Sequence, residues 1–420
     1  MAFFIAYGFF TVFIYLYLFQ FHSSAAVPPE QAGTATDPQT FLTVDELILS
    51  EQYSNIRNFL FFLEIPYEWL FYLLILLSGS GKIFESWAQR TAKKRLLQSA
   101  VYAFCLSFCS LIFFFPVKYA GYRISKYYGL SNETFHSWMR DRMIDFWLNW
   151  LFLFIVVAAV YLLMRKSEKR WWFYAWCVSV PFTLFVMFIR PVLIDPLYND
   201  FYPLKNKVLE EKILSLAEEA GIPAEHVYEV NMSEKTNTLN AYVTGIGSNS
   251  RIVLWDTTLK QLEEDEILFI MAHEMAHYLE KHIFIGITGY LLMSFIGLWI
   301  TARLLNMFFD KLKDVFHMTG KTAFSSFPLI LLILSMLSFA ASPLTNAVSR
   351  HLEKRADTYA VELTRDADAG ISTFHELARA GLSQVNPPLL VKWFRYGHPT
   401  IKERIEMLEN YAKENTHHNE

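Results

Sequence analysis

Seven stretches of almost unbroken apolar residues mark this chain, at residues 2–21, 58–78, 96–117, 144–164, 171–194, 283–305 and 324–345. Each is near the length a helix needs to cross a hydrocarbon core of about 30 Å. The pattern predicts a mainly α, polytopic membrane protein: five spanning helices, a water-soluble insert, then two more helices and a polar end. Glu64, Pro66 and Glu68 interrupt the second stretch, which puts them at an interface or on a wet cavity. Arg190, at the end of the fifth, reads as a snorkelling side chain. The first stretch also suits a signal peptide, given Ser23-Ser24-Ala25-Ala26 after it. No Lys or Arg precedes it, however, and a retained helix is the better reading. Residues 22–50, with Pro28, Pro29, Gly33, Asp37 and Pro38, read as a polar, exposed loop.

Between the fifth and sixth stretches the pattern changes. Residues 205–220 repeat apolar positions at helical spacing (Val208, Leu209, Ile213, Leu216, Ala217) and stop at Gly221-Ile222-Pro223. Short strand candidates follow at 227–230, 241–244 and 251–255, separated by polar, Gly-containing turns. An acidic run from Glu263 to Glu266 then opens a helix near residue 262. After the seventh stretch, residues 346–365 and 372–382 read as helices, Asn386-Pro387-Pro388 as a loop, and the tail beyond Ala412 as polar and frayed. The expected division is 1–194 (five spans), 195–282 (an α+β insert), 283–345 (spans six and seven) and 346–420 (a C-terminal helical segment).

Composition agrees with membrane residence: 53% of the 420 residues are hydrophobic, 17% aromatic, and Phe alone occurs 38 times. A formal charge of −4 carries no nucleic-acid footprint. Cys105, Cys109 and Cys177 all lie in apolar stretches without C-x-x-C spacing, so they read as packing residues.

The chemistry is concentrated in Met271-Ala272-His273-Glu274-Met275-Ala276-His277-Tyr278. On a helix, His273 and His277 share a face, so two imidazoles can grip one Zn²⁺ while Glu274 sits beside them to carry a proton. A catalytic zinc needs a third protein ligand. Ser349-Arg350-His351-Leu352-Glu353-Lys354-Arg355-Ala356-Asp357 offers one, with Glu353 as the ligand and Asp357 as the carboxylate that fixes a histidine tautomer. By spacing alone the same segment is equally an ordinary charged, solvated helix.

The chain resembles the integral-membrane zinc peptidases of the CAAX prenyl protease type 1 family, and more distantly the heat-shock membrane protease HtpX. The resemblance rests on the seven spans, the insert, His273-Glu274-x-x-His277 and Glu353-x-x-x-Asp357. It also draws on Asp195-Pro196-Leu197-Tyr198-Asn199-Asp200-Phe201, Asn240-Ala241-Tyr242 with Gly245, and His398-Pro399 followed by Arg404-Ile405. It implies one Zn²⁺ per chain on His273, His277 and Glu353, with Glu274 as general base and Asp357 orienting a ligand histidine. It further implies that Asn240 and Ala241 align an extended substrate and that His398 and Arg404 lie near the scissile bond. Without the resemblance, His398 and Arg404 read as a helix-cap His-Pro and a surface arginine. The implied fold has seven helices around a water-filled chamber, and the implied partners are a peptide or protein substrate, lipidated or not, and membrane lipids. Quality control of damaged membrane proteins is the competing enzymatic expectation, and an inactive membrane scaffold a more remote one.

Charge leaves the orientation open. Lys82, Arg90, Lys93, Lys94 and Arg95 lie between spans two and three, and Arg165, Lys166, Lys169 and Arg170 between four and five. The positive-inside rule puts those loops in the cytoplasm and the insert outside. Lys118, Arg123, Lys126, Arg140 and Arg142, between spans three and four, oppose that reading, and the resemblance implies a cytosolic site.

Overall fold

Lipid offers no partner for backbone N–H and C=O groups, so an apolar run must satisfy them within one helix. The computed structural model describes residues 2–21, 29–222, 226–244 and 251–418. Among them, six helices are long and apolar enough to span a membrane: α2 (Val44–Leu77), α4 (Arg95–Tyr127), α5 (Phe135–Lys166), α6 (Trp171–Ile189), α10 (His282–Leu312) and α11 (Phe327–Thr364). The first apolar run forms α1 (Ala2–Phe19), whose 18 residues rise about 27 Å. Ser23 to Ala26 and Gly245 lie outside the described residues.

Several helices outrun their apolar stretches. The loop expected over residues 22–50 ends early, because α2 starts at Val44 behind a capping box in which Thr43 N donates to Glu46 Oε2 at 2.8 Å. Nor is the segment fully exposed: Thr36, Asp37 and Leu42 are buried. Between residues 50 and 58, α2 buries Ser50, Ser54, Asn55 and Asn58 beside Tyr53, a mostly polar set that hides this part of the helix from a hydropathy reading. Ser54 Oγ donates to Leu382 O at 2.9 Å, and Gln384 Nε2 donates to Asn55 Oδ1 at 2.9 Å. Likewise α11 continues unbroken past residue 345 to Thr364. Between α2 and α4 lies an amphipathic helix, α3 (Ser80–Thr91).

The loops sort to two ends. At one, Glu85 of α3 accepts from Thr319 Oγ1 (2.8 Å) and Ser325 N (3.2 Å) of the α10–α11 connection. At the other, Asn132, in the α4–α5 turn, donates from its backbone N–H to Lys235 O at 3.1 Å. Lys235 in turn pairs with Asp141 of α5 at 2.5 Å, and Tyr198 Oη donates to Asp145 Oδ1 at 2.6 Å. The insert is therefore seated on the second end.

Within the insert, the described residues form a four-stranded sheet, ordered β1 (Phe201–Pro203), β2 (Val227–Val230), β4 (Arg251–Trp255), β3 (Ala241–Thr244). Strands β2 and β4 run parallel; the other neighbours are antiparallel, and β3 is an edge. Helix α7 (Lys207–Glu219) lays Leu209, Ile213 and Ala217 against Val227, Ile252 and Leu254. The short α8 (Asp256–Gln261) leads into α9 (Glu264–Leu279). Met271 and Met275 of α9 join that core, while Phe269 and Ala272 pack with Ala360 and Val361 of α11, Phe374 of α12 (Ala367–Gly381), and Ile405 and Leu408 of α14 (Ile401–His418). So α9 is clamped between the sheet layer and the C-terminal helices. The tail expected to fray beyond Ala412 stays helical to His418.

Candidate metal centre

Helix α9 begins at a capping box, Glu263 N donating to Glu266 Oε2 at 2.8 Å, and its first turn holds three acids against the positive helix end. Its other end, where the helix dipole is negative, carries His277 and favours a cation. Fully buried Ala272 and Ala276 on α9, with Ala356 and Ala360 on α11, leave little side-chain bulk between the two helices. Glu353, from α11, thereby reaches both histidines.

His273 Nε2 and His277 Nε2 are 3.2 Å apart, His273 Nε2 lies 3.3 Å from Glu353 Oε2, and His277 Nε2 lies 3.5 Å from Glu353 Oε1. Ligands about 2.0–2.1 Å from a tetrahedral zinc are separated by about 3.3–3.4 Å along each edge. The three distances match that triangle. Buried Glu353 Oε2 has no aligned hydrogen-bond donor, although two imidazole nitrogens lie within 3.3 Å of it. Among the described residues, His273, His277 and Glu353 form one group able to hold a metal ion. Burial alone would lower the pKa of His273, but contacts with Asp357 and Glu353 outweigh it and push it up to about 9. A divalent cation held by Glu353 would take the place of the proton on His273 Nε2 and leave the Nδ1–H to Asp357. Burial, with the nearby imidazoles, drives His277 down to about 4, which leaves it neutral and ready to coordinate.

Each of the two histidines is held from behind. His273 Nδ1 lies 2.8 Å from Asp357 Oδ1, and Arg404 Nε donates to Asp357 Oδ2 at 2.8 Å. His277 Nδ1 lies 2.8 Å from Nδ1 of His282. His282 Nε2 is 2.8 Å from Glu280 Oε2, which also pairs with Arg355 Nε at 2.7 Å.

Glu274, next to His273 on α9, has its pKa raised by burial, with the His273 charge and a hydrogen bond from the Val243 backbone on β3 acting the other way. Trp255 N donates to Asn240 O at 3.1 Å, so in the antiparallel ladder Tyr242 makes the next paired exchange and Ala241 and Val243 turn their backbone groups outward. The Asn240 backbone is pinned from both sides by Thr258 Oγ1, at 2.9 and 2.8 Å, while its side chain is exposed. His398, largely exposed, brings Nδ1 to 2.7 Å from Glu353 Oε2 on the open side of the site.

The structure thus brings together His273, Glu274, His277, Glu353, Asp357 and His398, with the Asn240–Ala241 segment on the sheet edge nearest α9. Arg404 also reaches the site, with Nη2 3.5 Å from His273 Nδ1. The resemblance puts it beside the scissile bond, but its guanidinium is committed to Asp357 and lies 4.1 Å over the Phe374 ring. The sequence reading omits Glu280, His282 and Arg355. Their one signal is a third histidine five residues after His277.

Fold and site together define an integral membrane metalloprotease. The chain matches Peptidase family M48 over residues 203–412, and the CAAX prenyl protease N-terminal region of five membrane helices over residues 19–200. It is 49% identical over 405 residues to a Bacillus subtilis (strain 168) protein named uncharacterized metalloprotease YhfN, covering 96% of this chain and 95% of that one. It is 30% identical over 303 residues to the CAAX prenyl protease 1 homolog of Arabidopsis thaliana, covering 70% and 69%. The crystal structure of S. mikatae Ste24p has the same fold, with a TM-score of 0.76 over 97% of both chains at 23% identity. The chain belongs to peptidase family M48.

Proposed function

We propose that this chain is a zinc endopeptidase acting on CAAX-type or other membrane-associated protein substrates, with His273, His277 and Glu353 as zinc ligands and Glu274 as general base. The observation that carries the reading is the ligand triangle of 3.2, 3.3 and 3.5 Å with Glu274 next to it on α9. Zinc held there supplies Lewis-acid polarisation of the scissile carbonyl and makes water nucleophilic near neutral pH. Glu274, kept basic yet buried, takes the proton of the attacking water and passes it to the leaving amine. An extended substrate lines up on β3, where the outward N–H and C=O of Ala241 add it as a further strand and Asn240 borders its path. His398, exposed at the mouth, is placed to donate to the developing oxyanion. Arg404 acts through Asp357, not on substrate.

None of the residues in the apolar windows of α6 and α10 is buried, so these helices offer their surface to lipid. The purified full chain in lipid should release the C-terminal tripeptide from a prenylated CAAX peptide, and 1,10-phenanthroline should abolish release. Cleavage that survives the chelator would overturn the zinc assignment. Cleavage of an unfolded membrane protein but of no CAAX peptide would move the substrate class to damaged membrane proteins.

A further inference from the structure

A histidine five positions after a zinc-ligand histidine cannot face it along one helix. At 100° per residue the two side chains point about 140° apart. In this chain they meet because the helix breaks between them: α9 stops at Leu279, Lys281 takes a left-handed backbone at φ +57°, and α10 restarts at His282. The break folds the buried His282 ring back until its Nδ1 lies 2.8 Å from Nδ1 of His277.

Hydrogen-bond accounting then allows one pattern. His277 presents Nε2 to the ligand triangle, so its proton is on Nδ1 and it donates to His282 Nδ1. His282, accepting there, carries its own proton on Nε2 and donates to Glu280, 2.8 Å away. Glu280 is held by Arg355 through two contacts, Nε to Oε2 at 2.7 Å and Nη2 to Oε1 at 2.8 Å. Arg355 belongs to α11, the helix that supplies Glu353 and Asp357.

We propose that His282 is a positioning residue: with Glu280 and Arg355 it fixes the tautomer and ring angle of His277 and so sets the affinity of the metal centre. The site is thereby locked twice. His273 is held by an acid directly, and His277 by an acid acting through a second imidazole, with an arginine ending each chain. This inference rests on the zinc reading above.

The test is zinc titration against a chromophoric chelator, using the detergent-solubilised full chain. Partners behind a ligand histidine typically set 10–100-fold in metal affinity. His282→Leu removes the acceptor for His277 Nδ1–H and should weaken zinc about 10–100-fold. His282→Asn, whose Oδ1 replaces the Nδ1 acceptor, should recover most of that loss, a rescue that a space-filling role would not produce. If His282→Leu proves too unstable to purify, Glu280→Ala, at the partly exposed end of the chain, should weaken zinc about 3–10-fold, and an unchanged affinity there would overturn the proposal. Equal affinities for wild type and His282→Leu, or no difference between the Leu and Asn variants, would overturn it as well. A wild-type chain that binds no zinc would refute the metal reading itself, a distinguishable result.

Discussion

Arg404 of α14 and Asp357 of α11 form a two-point ion pair behind His273, Nε to Oδ2 at 2.8 Å and Nη2 to Oδ1 at 2.5 Å. Asp357 is 1% exposed, so its charge depends on this partner and on the His273 imidazole 2.8 Å away. Breaking a buried pair by removing one member leaves an uncompensated charge that costs about 3–5 kcal/mol. Arg404→Ala should lower the stability of the metal-free chain by about that much, read by thermal or denaturant unfolding. Arg404→Lys, which lacks the fork, should recover only part of it. An Ala variant as stable as wild type would show that Arg404 does not hold Asp357.

Gly370 marks the closest approach of α12 to α9. A Cβ there would sit 2.6 Å from the Phe269 ring and 2.7 Å from Leu408, both fully buried. Neither side chain has room to retreat. Gly370→Ala should destabilise the chain by about 1–3 kcal/mol through overpacking. Unchanged unfolding would mean that the helices separate at little cost.

Lys281 offers a test in the opposite direction. A non-glycine residue in the left-handed region costs about 1–2 kcal/mol. Lys281→Gly should therefore be neutral or stabilising, with zinc affinity retained. Lys281→Ile, branched at Cβ, should resist that backbone, displace His282 and weaken zinc. Equal behaviour of the two variants in unfolding and zinc titration would contradict the role given to the helix break.

The seat of the insert on the bundle is also testable. Lys235 reaches Asp141 of α5 at 2.5 Å and the Tyr198 carbonyl at 2.8 Å. Lys235 reaches Oδ2 of that carboxylate, and the buried Oδ1 has no hydrogen-bond partner. Lys235→Ala should cost about 3 kcal/mol and expose the insert to limited proteolysis. Asp141→Asn with Lys235→Met should restore resistance, because no unpaired charge then remains. Proteolysis unchanged from wild type in the single variant would show that the pair does not anchor the insert.

How much of this was readable in advance follows from range. The spans are long apolar runs, and His273 and His277 are one helical turn apart, so both are visible to periodicity. Glu353 and Asp357 share a face by the same rule, although only the family resemblance lifts them above a charged helix. What escaped depends on contacts between distant segments or on a break in periodicity. Residues 44–50, which hydropathy reads as loop, open a helix whose next turns bury a polar face against Leu382 and Gln384. Strand β1 has three residues and ends at Pro203, too short to register as alternation. His282 looks unrelated to His277 until Lys281 turns the chain, and nothing local reveals that Arg404 spends its guanidinium on a residue 47 positions earlier.

The central claim is that Glu274 moves the proton while three other side chains hold the metal. Glu274→Gln is nearly isosteric and leaves His273, His277 and Glu353 in place. Zinc content and peptide hydrolysis should be measured together on the purified variant. One zinc per chain is expected, as in the wild type, with turnover lowered by about 10²–10⁴-fold, the usual contribution of a general base. Turnover near the wild-type rate at full zinc occupancy would contradict it.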